Sequence, residues 1–139
     1  MKEKIVLIDG CRTPFLKSET DFIDTMTYEL GQLSISGLLS KTGIDPKLVD
    51  SVIMGCVIST LKTSNLAREA ALSAGIPNST PCHTVSQACI SANRAIATAI
   101  GEIATGQSSL VIAGGADSAS ETPIGYKKQM RKKLMKGNK

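Results

Sequence analysis

The apolar residues of this chain fall into short continuous runs, separated by stretches in which they recur at helical spacing. Lys4 to Asp9 and Ser51 to Ser59 are runs of the kind found in strands buried on both faces. Cys82 to Val85 reads as a short strand, and the run ending in Ala113-Gly114-Gly115 as another, fully apolar one. Gly55 interrupts the second run and marks a place where another backbone passes close by. Between the first two runs, Met26, Leu30, Leu33, Ile35, Leu38 and Leu39 sit near helical spacing. That helix takes Asp24 or Thr25 as its cap, runs to about Thr42 and stops at Gly43. Leu66 to Ala74 is a shorter, Ala-rich helix with Ser64 or Asn65 as cap, ended by Gly75 and Pro77, and a second Ala-rich helix follows Cys89. Regular alternation of strand and helix predicts an α/β fold with a mostly parallel sheet and helices on its faces.

In such sheets ligands gather beyond the carboxyl ends of the strands, and Cys89 lies just after the Cys82–Val85 strand. The small residues Ala88, Ser91 and Ala92 surround the thiol, so a long ligand has room to approach. The unpaired N–H groups at a helix start favour negative charge, which lowers a thiol's pKa and can stabilise an oxyanion. The other cysteines are Cys11, Cys56 and Cys82; separations of 45, 26 and 7 match no paired ligand spacing, and His83 is the only histidine, so no metal site is expected. Cys56 and Cys82, inside strand patterns, read as small buried hydrophobes. His83 is six positions from Cys89, about 20 Å along an extended chain, and reads as a packing or interface residue rather than a base. Arg68 and Glu69 read as a solvated helix face.

Composition narrows the class. Among 139 residues, 42% are hydrophobic and 20% charged, the balance of a soluble globular chain with one domain's worth of core. With two Phe, two Tyr and no Trp, that core must be aliphatic. No run approaches the roughly 18 apolar residues of a membrane span. The start, Met-Lys-Glu-Lys-Ile-Val-Leu-Ile, has the look of neither a signal nor a transit peptide, so a cytoplasmic location is expected. Charge is uneven: seven basic residues and no acid lie between Lys127 and Lys139, against nine basic and twelve acidic residues before them. Such a tail suits a membrane surface or ligand phosphates. The lack of interleaved aromatics argues against nucleic acid as a partner.

Four stretches carry a family resemblance. Arg12-Thr13-Pro14, Thr63 to Ala71, Gln87-Ala88-Cys89-Ile90-Ser91-Ala92-Asn93 and Ala113-Gly114-Gly115 occur in the order and at the separations found in the N-terminal part of a thiolase. The chain most resembles the branch of the trifunctional-enzyme β subunit of fatty-acid oxidation. The likeness covers nearly the whole chain, although a thiolase is several-fold longer. It implies a partial thiolase N-terminal domain over residues 1–121, truncated before the family's last strand and C-terminal domain, and a basic start of the loop domain over 122–139. It also implies 3-ketoacyl-CoA thiolase (acetyl-CoA acyltransferase) chemistry through a Cys89 thioester, in which the Cys89 N–H also serves the oxyanion. No permanently bound cofactor is implied; coenzyme A is the co-substrate, and acyl-CoA and CoA are the ligands. The expected partners are a thiolase C-terminal half or a second copy, and the β-oxidation α subunit.

The same resemblance places Arg12 near the active site, whereas the residues alone describe a surface arginine before a turn proline. The family's base, a histidine in Gly-His-Pro, and its second cysteine belong to the C-terminal half, so this chain is expected to be inactive by itself. Two departures stand out: Asp117 follows Gly114-Gly115-Ala116 where Glu is common, and Ile-Ser-Ala follows Cys89 in place of Gly-Ser-Gly. A non-catalytic thiolase-like remnant or interaction module, and a related ketoacyl condensing enzyme, are the alternative readings.

Overall fold

The computed structural model describes residues 4–137. The first three residues, and the part of the basic tail formed by Asn138 and Lys139, lie outside the described residues. The chain forms α1 (Thr27–Thr42), β1 (Ser51–Gly55), α2 (Leu66–Ser73), β2 (Cys82–Val85), α3 (Ser91–Ala104), β3 (Val111–Gly115) and α4 (Lys128–Gly137), with short 3₁₀ turns at Pro46–Leu48 and Ala119–Glu121. The three strands make one parallel sheet in the order β2-β1-β3. Ile53 of β1 stands opposite His83 on one side and Ala113 on the other.

β1 is buried along its full length because it is central and covered on both faces. Val52 and Met54 point to one face, where they pack with Ile35 of α1 and with Leu66, Ala67, Ala70 and Ala71 of α2. Ile53 points to the other, against Ala95 and Ala99 of α3 with Val85, Val111 and Ala113 around them. The period-2 alternation of a strand therefore splits the aliphatic core into two layers of unequal size. The thicker layer has α1 and α2 in contact; a Cβ on Gly31 would lie 3.0 Å from the Ala70 side chain. Small residues on both helices allow this approach.

Several expectations change. Lys4 to Asp9 is not a strand: it pairs with nothing among the described residues, and Val6, Leu7 and Ile8 are 72%, 82% and 63% exposed. A strand needs a neighbour to fill its ladder, and the segment is held instead by an ion pair from Asp9 to Lys41 of α1 at 2.7 Å. The strand in the run Ser51 to Ser59 ends at Gly55, so Cys56 lies just past it, still buried and with its N–H still donated to the Val85 carbonyl. Neither Asp24 nor Thr25 caps α1. The helix begins at Thr27: the Met26 N–H before it donates to Glu29 Oε2 at 2.7 Å, and Glu121 Oε2 accepts from both the N–H and the hydroxyl of Thr27 at 2.8 Å. The other end is as expected: Gly43 takes φ 67 and donates its N–H to Leu39, a left-handed turn that a side chain adopts at a cost.

Asn65, and not Ser64, caps α2, and it does more than cap. Its Oδ1 accepts from the Arg68 N–H and the Thr84 hydroxyl, and its Nδ2 donates to the Cys82 carbonyl, locking α2 to β2. Arg68 is not on a solvated face. Its guanidinium is half-buried and donates to the carbonyls of Thr80 and Asn78, drawing in the turn that leads to β2. Among the described residues no helix is long and apolar enough to cross a membrane.

Candidate active site

Cys89 is exposed and sits on the turn between β2 and α3. Local bonds shape that turn. The N–H of Ile90 donates to the Gln87 carbonyl and that of Ser91 to the Ala88 carbonyl, so the chain reverses within four residues. The Ser91 hydroxyl then closes it from inside, accepting from the Gln87 N–H at 2.8 Å and donating to the Ala88 carbonyl at 2.7 Å. Ala88 is forced to φ 48. A non-glycine residue in that region costs about 1–3 kcal/mol, and such strain clusters where a side chain must be presented in one direction. The result is a thiol raised on a sharp bend immediately before the first turn of a 14-residue helix.

The sheet seats this helix through two glycines. A Cβ on Gly55, the last residue of β1, would stand 2.3 Å from the carbonyl carbon of Ser91 and 2.5 Å from the N of Ala92. A Cβ on Gly115, the last residue of β3, would stand 2.9 Å from the Ala92 Cβ. The first turn of α3 therefore rests on bare backbone at the carboxyl ends of two adjacent strands. The close approach expected at Gly55 is found there, and its partner is the segment that carries the cysteine.

The remaining candidates lie elsewhere. Arg12 makes local contacts, with its guanidinium 5.0 Å from the centre of the Phe15 ring and a hydrogen bond to the Thr13 carbonyl, so the Arg-Thr-Pro stretch is held from within. His83 is half-buried inside β2. Burial pushes the Cys56 thiol up to about 12, with the charge of Asp117 and a hydrogen bond to it adding to the rise. Burial also raises Cys82, against the opposing pull of Arg68. Both thiols are thus poor nucleophiles.

Two concavities flank the carboxyl end of the sheet. One, of 160 Å³, has Cys56, Thr27 and Thr84 in its wall. The other, a groove of 360 Å³, runs between Thr13–Ser18 and Gly115–Ser120 with Phe22, Leu30 and Ile58. Cys89 lines neither, so its thiol faces open surface. Next to it, Ile90 and, on α3, Ile96 and Ile100 are each 40–52% exposed. The described residues hold no cluster of three or more His, Cys, Asp or Glu suited to a metal ion.

Comparison with known proteins identifies this arrangement. The family model described as the thiolase N-terminal domain matches residues 5–139. The chain belongs to the thiolase family. It is 50% identical over 135 residues to the mitochondrial trifunctional enzyme subunit beta of Bos taurus, a match covering 97% of this chain and 28% of the bovine one. A probable 3-ketoacyl-CoA thiolase of Caenorhabditis elegans is 47% identical over 97% of this chain and 30% of its own length. Among solved structures, the acetyl-CoA acetyltransferase of Bacillus anthracis superposes with a TM-score of 0.74 at 32% identity, covering 78% of this chain and 28% of that one. The chain thus spans less than a third of the length of these thiolases. The α/β fold and the parallel sheet read from the sequence are those of the family.

Two side chains that shape this region escaped the reading of the sequence. Ser91 looked like a small neighbour of the thiol and is in fact the internal brace of its turn. Asp117 looked like a shortened acid, and its Oδ1 accepts from the N–H groups of Val57 and Ile58 at 2.8 and 2.7 Å, joining the exits of β3 and β1. The only signal for the second was an acid placed directly after an apolar strand and a glycine pair.

Proposed function

We propose that Cys89 is the acyl-accepting nucleophile of a 3-ketoacyl-CoA thiolase (acetyl-CoA acyltransferase), and that the chain supplies the nucleophile-bearing half of that site. The observation that carries this reading is the exposed thiol on a strained turn, seated by Gly55 and Gly115 at the carboxyl ends of a parallel sheet. In the forward reaction the Cys89 thiolate attacks the keto carbon of a 3-ketoacyl-CoA. The bond between the α and β carbons breaks, its electron pair stays with the acetyl-CoA fragment, and a proton delivered to that carbon completes acetyl-CoA. The acyl group, now a thioester on Cys89, passes to the sulfur of free CoA, which regenerates the thiol. No permanently bound cofactor enters this sequence; coenzyme A is the co-substrate.

Proton delivery and the second oxyanion need groups this chain does not carry. By the family resemblance they are a histidine in Gly-His-Pro and a second cysteine, from the part of a thiolase that lies beyond the stretch matched here. That part, on this chain's own continuation or on a second chain, would cover the exposed Ile96 and Ile100 of α3. The test is acyl transfer from a 3-ketoacyl-CoA to CoA, followed by acetyl-CoA release, with this chain alone, with a C-terminal thiolase segment added, and with Cys89→Ser in both. Turnover only in the supplemented wild type, with an acyl adduct mapped to Cys89, is the expected result. Turnover that survives Cys89→Ser sinks the assignment, and no turnover in any mixture leaves a non-catalytic interaction module as the better reading.

In the same reading, residues 1–121 form the site-bearing domain and 122–139 a basic arm. α4 is exposed throughout, with Met130 and Leu134 one turn apart amid Lys128, Arg131, Lys132, Lys133 and Lys136. A cationic helix with a narrow apolar stripe suits an anionic lipid surface. Cosedimentation with vesicles containing anionic lipid, and not with neutral vesicles, is expected; equal binding to both, or to neither, removes this part. The mitochondrial β subunits among the relatives make a β-oxidation α subunit the proposed protein partner. They also set the mitochondrion beside the cytoplasm as the compartment that fractionation must decide between.

A further inference from the structure

The parallel ladder between β1 and β3 ends with the Ala116 N–H donating to the Gly55 carbonyl. Beyond that point the two chains leave the sheet with no backbone pairing to hold them together. Asp117 supplies the missing tie, because one carboxylate oxygen takes two successive N–H groups, those of Val57 and Ile58. Hydrogen bonds to an ionised acceptor are stronger than neutral ones, and two on one oxygen fix both its direction and its distance. The residues it joins are placed symmetrically: Asp117 lies two positions past Gly115, and Val57 two past Gly55. Those glycines are the floor under Ser91 and Ala92, and Ser91 is the brace of the Cys89 turn.

From this geometry we propose that Asp117 is a positioning residue for Cys89: it sets the spacing of the two strand exits on which the nucleophile's turn sits. Asp117 touches neither the thiol nor the turn, so its influence passes through Gly55 and Gly115. The inference rests on Cys89 being the working nucleophile, as proposed above, but its test does not depend on turnover. An aspartate at this position draws Val57 and Ile58 closer to the β3 exit than a glutamate would, which links the departure from the commoner acid to the placement of the turn.

Residue-resolved amide exchange on the chain itself tests this, comparing wild type with Asp117→Ala and Asp117→Asn. The alanine variant is expected to exchange about tenfold faster at Gln87, Ile90 and Ser91 as well as at Val57 and Ile58, while amides in the middle of α3 keep their wild-type rates. Asparagine, which keeps an oxygen at the same reach, is expected to restore slow exchange at Gln87, Ile90 and Ser91. Faster exchange confined to Val57 and Ile58 overturns the proposal. So does a uniform acceleration that includes the middle of α3, since that is what a merely structural role gives. Should the alanine variant fail to fold, Asp117→Glu serves in its place: the acceptor moves out by a methylene, faster exchange at Gln87 to Ser91 supports the role, and unchanged exchange there removes it. Because no acyl-CoA is present, loss of the thiolase reading would leave these rates as they are.

Discussion

Gly55→Ala is expected to abolish the cooperative fold. The added methyl would stand 2.3 Å from the Ser91 carbonyl carbon, 2.5 Å from the Ser91 carbonyl oxygen and 2.5 Å from the Ala92 nitrogen. All three are main-chain atoms, so no side-chain rotation relieves the contact; either α3 lifts off the sheet or β1 sinks into the opposite layer. Ordinary overpacking of a core costs about 1–3 kcal/mol, and a backbone clash at this distance exceeds that range. With total stability of a domain near 5–15 kcal/mol and α3 supplying Ala95 and Ala99 over Ile53, little would remain. A circular-dichroism melt is the measurement, with no cooperative transition expected. A melt within a few degrees of wild type would show that α3 does not press on Gly55. The glycine is thus required for the approach of another backbone, and no positive φ is involved.

Alkaline pH is expected to destabilise the fold through Cys56. Burial first, then the neighbouring Asp117, lifts the folded-state thiol from its ordinary 9.0 to about 12. Below pH 9 the thiol is neutral in both folded and unfolded chains, and stability does not depend on its titration. Between 9 and 12 the unfolded chain releases the proton while the folded chain keeps it, so stability falls as pH rises. At about 1.4 kcal/mol for each unit, the full loss reaches about 4 kcal/mol as an upper bound. Urea titrations from pH 8 to 11.5 in wild type and in Cys56→Ser measure it. The serine keeps a hydroxyl for Asp117 and does not titrate in this range, so its alkaline limb should be much flatter. Identical limbs in the two proteins would remove Cys56 as the cause.

Where the sequence located elements well, the deciding chemistry was local. Cys82–Val85 emerged with the expected bounds because Pro81 on one side and the Cys89 turn on the other leave little room for a longer or shifted strand. Gly43 was legible because glycine just past a helix has few other uses, and Gly55 because a glycine inside an apolar run marks a close backbone approach. The turn that carries Cys89 was legible too, since a cysteine between a strand pattern and an Ala-rich helix fixes both the turn and the end of the sheet that bears it. What failed was non-local. Ile5 to Ile8 has the composition of a strand, but pairing depends on a neighbour that composition cannot supply. Arg68 looked solvated because its acceptors are the backbone carbonyls of Asn78 and Thr80, and carbonyls have no residue type. Ser91 and Asp117 were missed for a related reason: each acts on main-chain atoms, of Gln87 and Ala88 in one case and of Val57 and Ile58 in the other.

The bond from Thr27 to Glu121 spans 94 residues of a chain of 139. A ribosome making this protein delivers the first turn of α1 long before the carboxylate that completes it. Until Glu121 emerges, the Thr27 N–H and hydroxyl have water as their partner, and the start of α1 is held only by the local bond from Met26 to Glu29 and by packing against α2. The closing contact carries a high loop entropy and rewards the chain only late, the circumstance in which folding slows and intermediates accumulate. The Ala119–Glu121 turn therefore acts as a latch in time as well as in space: the sheet and its helices can be assembled without it, and the fold is sealed only when the segment leading into the basic arm has arrived.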